Sequence, residues 1–266
     1  MKMHGLGNDF VILDARTQEI DVSQELIASL ADRHRGIGFD QLAVIRTAGS
    51  DVRLVFYNSD GSASAACGNA TRCIAHHLMQ ESGETSIKLL TDRGVLEAAL
   101  HPNGLTTVNM GPPQLKWWEI PLASEMQTLH LPIDGDPTAT GMGNPHMTFF
   151  VPSVAEIDLE RFGSAHENHP LYPERTNVQI AQIIAPDVIR MRVWERGAGI
   201  TLASGSSSCA VAVAAARNGL TGKHVQIVLD GGEIEVEWRE DGVWMTGPTA
   251  HVFSGRLARD FMESFS

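Results

Sequence analysis

The sequence predicts an α/β chain, with α+β mixing, that is built twice. Two observations carry this reading. The second half of the chain repeats the first at a nearly constant spacing of about 137 residues, and each half alternates strand-like apolar runs with a helix entered from a small-residue, Gly-containing loop. Length and composition agree: 266 residues, 43% of them hydrophobic, are enough for one large core or two of ordinary size.

The repeat can be followed residue by residue. Gly7-Asn8 matches Gly143-Asn144, and both lead into strand-like runs, Phe10 to Leu13 and Met147 to Val151. Ser23 can cap a helix running to His34, in which Leu26, Ile27 and Leu30 share one face. Gln41, heading Leu42 to Ile45, matches Asn177 before Val178 to Ile180, and Val55 to Asn58 matches Arg192 to Glu195. Asn58 therefore stands opposite Glu195, and Cys67-Gly68 opposite Ser204-Gly205. A helix-like segment follows each and stops near Gly83 or Gly219, since glycine readily takes the left-handed conformation that ends a helix. Thr91 to Glu97 then echoes Leu229 to Glu235, and Gly111-Pro112 echoes Gly247-Pro248. The domains expected are 1–113, joined by a returning tail 252–266, and 114–251. Residues 113–136 match neither repeat and are expected to be the linker.

Charge and cysteine usage narrow the function. A net charge of -12 and a pI near 5.3 leave no basic field to attract phosphate, so nucleic acid and anionic membrane are poor partners and a small molecule is the expected ligand. The N-terminus lacks the apolar run of a signal peptide and no segment approaches spanning length, so a cytoplasmic location is expected. Cys67, Cys73 and Cys209 form neither a C-x-x-C pair nor a cluster with histidine; free thiols and no metal site are expected.

The chemistry concentrates at the two Gly-containing loops. A helix N-terminus offers unpaired N–H groups and the positive end of the helix dipole, a place to hold a carboxylate or to activate a nucleophile. In a duplicated fold the matched loops commonly face one another across a pseudo-twofold axis. Cys67 and Ser204 would then address one carbon from two sides, the arrangement that stereochemical inversion requires.

The motifs His4-Gly5-Leu6-Gly7-Asn8-Asp9-Phe10, Gly38-Phe39-Asp40-Gln41, Cys67-Gly68-Asn69-Ala70-Thr71-Arg72-Cys73, Gly143-Asn144-Pro145-His146 and Glu195-Arg196-Gly197-Ala198-Gly199, with the Gly247-Pro248 turn, together resemble diaminopimelate epimerase across essentially the whole chain. The resemblance implies two similar α/β domains related by a pseudo-twofold axis, each with a central helix wrapped by β-strands. It further implies no cofactor, interconversion of LL- and meso-diaminopimelate on the route to lysine, a homodimer, and two catalytic cysteines. The first of these matches Cys67; at the second position this chain has Ser204. Substrate contacts carry over to Asn8, Gln41, Asn58, Gly68, Asn69, Asn144, Asn177, Glu195, Arg196, Gly205 and Ser206, with His146 in support, and Cys73 and Cys209 match non-catalytic cysteines. The chain departs from the family pattern at Ser59 and Ala63, where Ala and an acidic residue are usual, and at Ala70 and Ser207, where Gly is usual.

Each of these residues also has an ordinary role to set against the functional one. A free cysteine is most often a small buried hydrophobe, serine is a preferred N-cap, and asparagines frequent turns. A serine hydroxyl is a far weaker acid than a thiol, so Ser204 needs a neighbouring base to take part in proton abstraction; the expectation is an epimerase impaired by Ser204. Ser204 is either a natural divergence or a Cys-to-Ser replacement, with Ser207 nearby favouring divergence. The alternatives are a racemase or one-base enzyme acting on another amino acid, and a non-catalytic amino-acid-binding homologue.

Overall fold

The computed structural model describes residues 1–64 and 67–265. The chain divides into two compact units, one formed by Met1–Val108 and the chain from Pro248 onward, the other by Asn109–Gly247.

The first unit opens with β1 (Lys2–Gly5) and β2 (Asn8–Asp14), an antiparallel pair turned at Leu6-Gly7. Helix α1 (Gln24–Ala31) is capped by Ser23, whose Oγ accepts from Leu26 N–H at 3.1 Å, and it buries Leu26, Ile27 and Leu30. Strand β3 (Gln41–Ala48) lies parallel to β2 and antiparallel to β4 (Asp51–Asn58), with Gln41 opposite Asn58. A short β5 (Ala63–Ser64) leads to α2 (Gly68–Ser82), which ends at Gly83 with φ 77°. The strands β6 (Ser86–Thr91), β7 (Gly94–Leu100) and β8 (Thr106–Asn109) follow as a meander, β6 pairing in parallel with β4.

The second unit repeats this plan. Strand β9 (Thr138–Gly141) pairs antiparallel with β10 (Pro145–Phe150), as β1 does with β2. Helix α3 (Leu159–Glu167) takes the place of α1, capped by Asp158. Strand β11 (Asn177–Ala185) is parallel to β10 and antiparallel to β12 (Val188–Glu195). Then come β13 (Gly199–Thr201), α4 (Gly205–Arg217), β14 (His224–Leu229), β15 (Gly232–Arg239) and β16 (Gly242–Gly247), β14 being parallel to β12. The pairing of β4 with β6 at Val52 and Leu89 recurs in β12 and β14 at Ile189 and Ile227, so the duplication extends to strand register. Helix α4 is the buried helix of its unit: Cys209 to Ala215 are all buried. In the first unit α2 is buried from Gly68 to Ala75.

The returning tail begins with β17 (Ala250–Phe253), which pairs antiparallel with β1, and ends in α5 (Arg259–Glu263). Leu257, Phe261 and Met262 pack on the core formed by Val11, Leu26, Ile27, Leu30 and Leu42.

The linker expected at 113–136 is not a linker. Ile120, Leu122 and Leu131 are buried in the second unit's core with Met147, Phe149, Val178 and Ile180, and Gln114 bridges to Gly141. The segment contributes through burial without a helix or strand period, which is why its pattern conceals it. No helix among the described residues is long and apolar enough to cross a membrane.

Candidate active site

In the first unit Cys67 is the N-cap of α2, with extended backbone (φ −141°, ψ 107°) and its Sγ accepting from Ala70 N–H at 3.4 Å. Gly68 and Asn69 form the first turn, both buried. A directed chain of side chains runs through Asn69. Buried Arg72 donates through Nη1 to Asn69 Oδ1 (3.0 Å), Asn69 Nδ2 donates to Asn8 Oδ1 (3.1 Å), and Asn8 Nδ2 donates to Asp40 Oδ2 (2.8 Å). A guanidinium can only donate and a carboxylate can only accept, so both amides are held in one orientation. Arg72 is anchored from behind by the Pro248 carbonyl, at 3.3 Å from Nε and 3.2 Å from Nη2. Gln41 Nε2 donates to Asn58 Oδ1 (3.2 Å) and Ser64 Oγ (3.3 Å), the pair that the β3–β4 register sets side by side.

Below Asn8 lies a charged cluster. Burial alone would raise the Asp9 carboxyl, but hydrogen bonds and charge from Arg33 and Lys2 outweigh it and hold the group down to about 2. Burial pushes the Cys73 thiol up to about 11, which leaves it a neutral core residue. Cys209 is likewise buried and not disulfide-bonded.

In the second unit Ser204 occupies the N-cap position of α4 with nearly the backbone of Cys67 (φ −141°, ψ 118°), yet its side chain makes no capping bond. Instead Ser204 Oγ lies 2.9 Å from Glu195 Oε2 and 3.0 Å from Ser207 Oγ. Glu195 Oε1 accepts from Thr201 Oγ1 at 2.6 Å. Ser207 accepts from Gln179 Nε2 (3.1 Å), and that nitrogen also lies 3.0 Å from His146 Nδ1. Thr148 Oγ1 donates to Gln179 Oε1 (3.2 Å), so the amide nitrogen is the atom facing His146. An amide nitrogen only donates, so His146 Nδ1 accepts and Nε2 carries the hydrogen given to Asn144 Oδ1 at 2.9 Å. His146, Gln179 and Ser207 are fully buried.

Asn177 is buried on β11, donating to the Pro145 carbonyl (2.9 Å) and accepting from Arg196 N–H (3.0 Å), while Arg196 Nη1 reaches the Glu174 carbonyl (2.9 Å). Gly205 and Ser206 supply the first turn of α4, whose leading N–H groups have no intrahelical acceptor. The structure thus brings Asn144, His146, Ser204 and Glu195 into one network and Asn177 and Arg196 into a second. In the first unit it joins Asn8 with Asn69, and Gln41 with Asn58.

Sequence reasoning missed Gln179, Thr148, Thr201, Asp40 and Arg72, and it treated Ser207 only as a departure from pattern. Two signals were available, and one is that Ser204 and Ser207 are three residues apart and share a helix face. Gln179 was the other, a polar residue inside an otherwise apolar strand run. Glu167 was also missed. Its carboxylate, 8% exposed, receives Trp194 Nε1 (2.7 Å), Gly197 N–H (3.0 Å) and Arg175 Nη1 (3.0 Å), and so pins the turn that carries Glu195 and Arg196.

Comparison with known proteins gives a consistent set. The sequence model of the family described as diaminopimelate epimerase matches residues 1–116 and 138–252. A diaminopimelate epimerase of Rhodospirillum centenum is 48% identical over 270 residues, covering 98% of this chain and 93% of the relative. One of Acidiphilium cryptum is 48% identical over 264 residues, covering 97% and 95%. Among solved structures, a PhzF-family phenazine biosynthesis protein of Bacillus anthracis has a TM-score of 0.65 at 16% identity, covering 95% of this chain and 96% of that one. A hydroxyproline epimerase of Agrobacterium vitis has a TM-score of 0.66 at 13% identity, covering 95% and 90%. These two likenesses are of fold.

Proposed function

The chain belongs to the diaminopimelate epimerase family, and from that premise we propose that it is an isomerase that interconverts LL- and meso-diaminopimelate by proton transfer at the α-carbon, with Cys67 and Ser204 as its two proton-transfer groups. The observation that carries the reading is the Ser204–Glu195 hydrogen bond of 2.9 Å. It supplies the neighbouring base that a serine needs.

The Cα–H bond breaks and its electron pair stays on the substrate as a carboxylate-stabilised carbanion. The proton goes to Ser204 Oγ as Ser204 passes its own hydrogen to Glu195 Oε2, and the Cys67 thiol returns a proton to the opposite face. In the other direction Cys67 takes the proton and Glu195 returns one through Ser204. The N–H groups at Gly68-Asn69 and Gly205-Ser206 hold the reacting carboxylate, and Asn8, Gln41, Asn58, Asn144, Asn177 and Arg196 bind the remaining polar groups. His146 supports the Ser204 side through Gln179 and Ser207. In this reading every group that moves a proton is a side chain of the chain itself, and the cytoplasm, which keeps thiols reduced, is the suitable compartment for Cys67.

Relay through a hydroxyl is slower than direct abstraction by a thiolate, so the chain is a weakened epimerase. Incubation with each isomer in heavy water, following deuterium at Cα beside inversion, tests this. Exchange with inversion is the expected result. Tight binding of diaminopimelate with no exchange in the unmodified chain or in a Ser204→Cys variant would make it an amino-acid-binding homologue instead.

A further inference from the structure

We infer that Ser207 is a positioning residue for Ser204, held by Gln179, and that this pair adapts the second half-site to a serine. The inference rests on the function proposed above. Ser204 and Ser207 each have one hydroxyl hydrogen, and their oxygens lie 3.0 Å apart. His146 Nδ1 receives the Gln179 amide at 3.0 Å, whereas Ser207 Oγ stands 3.5 Å from it, at the limit of a hydrogen bond. Gln179 donates a second hydrogen to Ser207 Oγ at 3.1 Å. The Ser207 hydrogen is therefore best spent on Ser204 Oγ.

Ser204 then accepts from Ser207 and gives its own hydrogen to Glu195. The order Gln179, Ser207, Ser204, Glu195 is one-directional, and its start is fixed by Thr148 on the Gln179 carbonyl. Two consequences follow. The Ser204 hydrogen is aimed at the carboxylate before substrate arrives, and negative charge developing on Ser204 Oγ meets a donor already in place. A glycine at 207, the residue usual in the family, removes that donor and leaves the Gln179 amide one acceptor short in a fully buried setting. A cysteine at 204 needs no such help, because a thiol gives up its proton far more readily. Ser204, Ser207 and Gln179 are thus one unit.

The test is a cycle of Ser207→Ala with Ser204→Cys, reading KM, the inversion rate, and deuterium exchange without inversion from the isomer that Cys67 deprotonates. Ser207→Ala in the unmodified background is expected to slow inversion by about 30-fold with KM changed by less than about threefold, a loss of the size that one hydrogen bond to a charged group supplies. Exchange without inversion at Cys67 persists, so the ratio of exchange to inversion rises; a generally disordered site would lower both together. In the Ser204→Cys background the loss shrinks by about tenfold, a coupling of the size that residues in contact show. Ser207→Thr, which keeps the hydroxyl, restores the rate in the unmodified background, and Gln179→Leu reproduces the Ser207→Ala pattern. Equal losses from Ser207→Ala in both backgrounds overturn the inference while leaving the epimerase reading standing. Exchange and inversion in the Ser204→Cys variant alone overturn both the inference and the assignment of Ser204 as a proton-transfer group. Absence of exchange in the unmodified chain and in Ser204→Cys alike sinks the epimerase reading itself.

Discussion

At the scale of single residues, Cys67 and Ser204 have almost the same backbone and opposite uses of the side chain. The cysteine accepts the capping bond from Ala70, and the serine, the better capping residue by preference, leaves its cap unmade and turns to Glu195 and Ser207. Two nearby partners, a carboxylate that accepts and a hydroxyl that donates, outweigh one cap. Ser204→Cys is therefore expected to raise inversion by about 100-fold, the lower end of what a well-placed proton-transfer group contributes. Steady-state rates with LL-diaminopimelate check it, and an unchanged or reduced rate would show that the serine does not weaken the enzyme. The matched positions Asn58 and Glu195 were legible in the sequence through the repeat, but the contact of Glu195 with Ser204 was not. It depends on the side-chain direction of a strand end relative to a helix start, which no spacing encodes.

At the scale of elements, the turn between β12 and β13 is stabilised from α3. Glu167 binds Trp194, Gly197 and Arg175, and Gly163 packs so closely on Trp194 that an added methyl group would overlap the Trp194 Cβ. Glu167→Ala is expected to weaken diaminopimelate binding about tenfold by loosening Glu195 and Arg196, and to cost about 1 kcal/mol of stability for each hydrogen bond lost. Isothermal titration and urea unfolding measure the two effects. The Asp9 cluster joins β2 to β1 and to the loop between α1 and β3 in the same way. A carboxyl held below its unfolded value of about 3.9 contributes stability above that pH and loses it as pH falls towards about 2. Urea midpoints should therefore drop between about pH 4 and pH 2, and Asp9→Asn should flatten that part of the curve. Helix α1, its Ser23 cap and the Gly83 stop were all readable from sequence, because capping and left-handed glycines are local.

At the scale of the whole molecule, each unit carries the same succession of strands and helices, down to parallel pairs at matched positions. That much was legible because a duplicated chain prints its plan twice. The segment 113–136 was not, since Ile120, Leu122 and Leu131 are buried without period or repeat partner. Ile120→Ala is expected to cost about 2–5 kcal/mol, as for other fully buried aliphatic side chains, where a linker residue would cost almost nothing. The return of the chain through β17 was visible as a tail beyond the second repeat, although its pairing with β1 was not.

A base behind Ser204 makes the Glu195 carboxylate indispensable to inversion. The decisive measurement is inversion of diaminopimelate by the unmodified chain beside its Glu195→Gln variant at saturating substrate. The expected loss is at least about 100-fold in inversion, with exchange at Cα still detectable from the isomer that reacts at Cys67. Inversion within a few-fold of the unmodified chain would rule Glu195 out as that base.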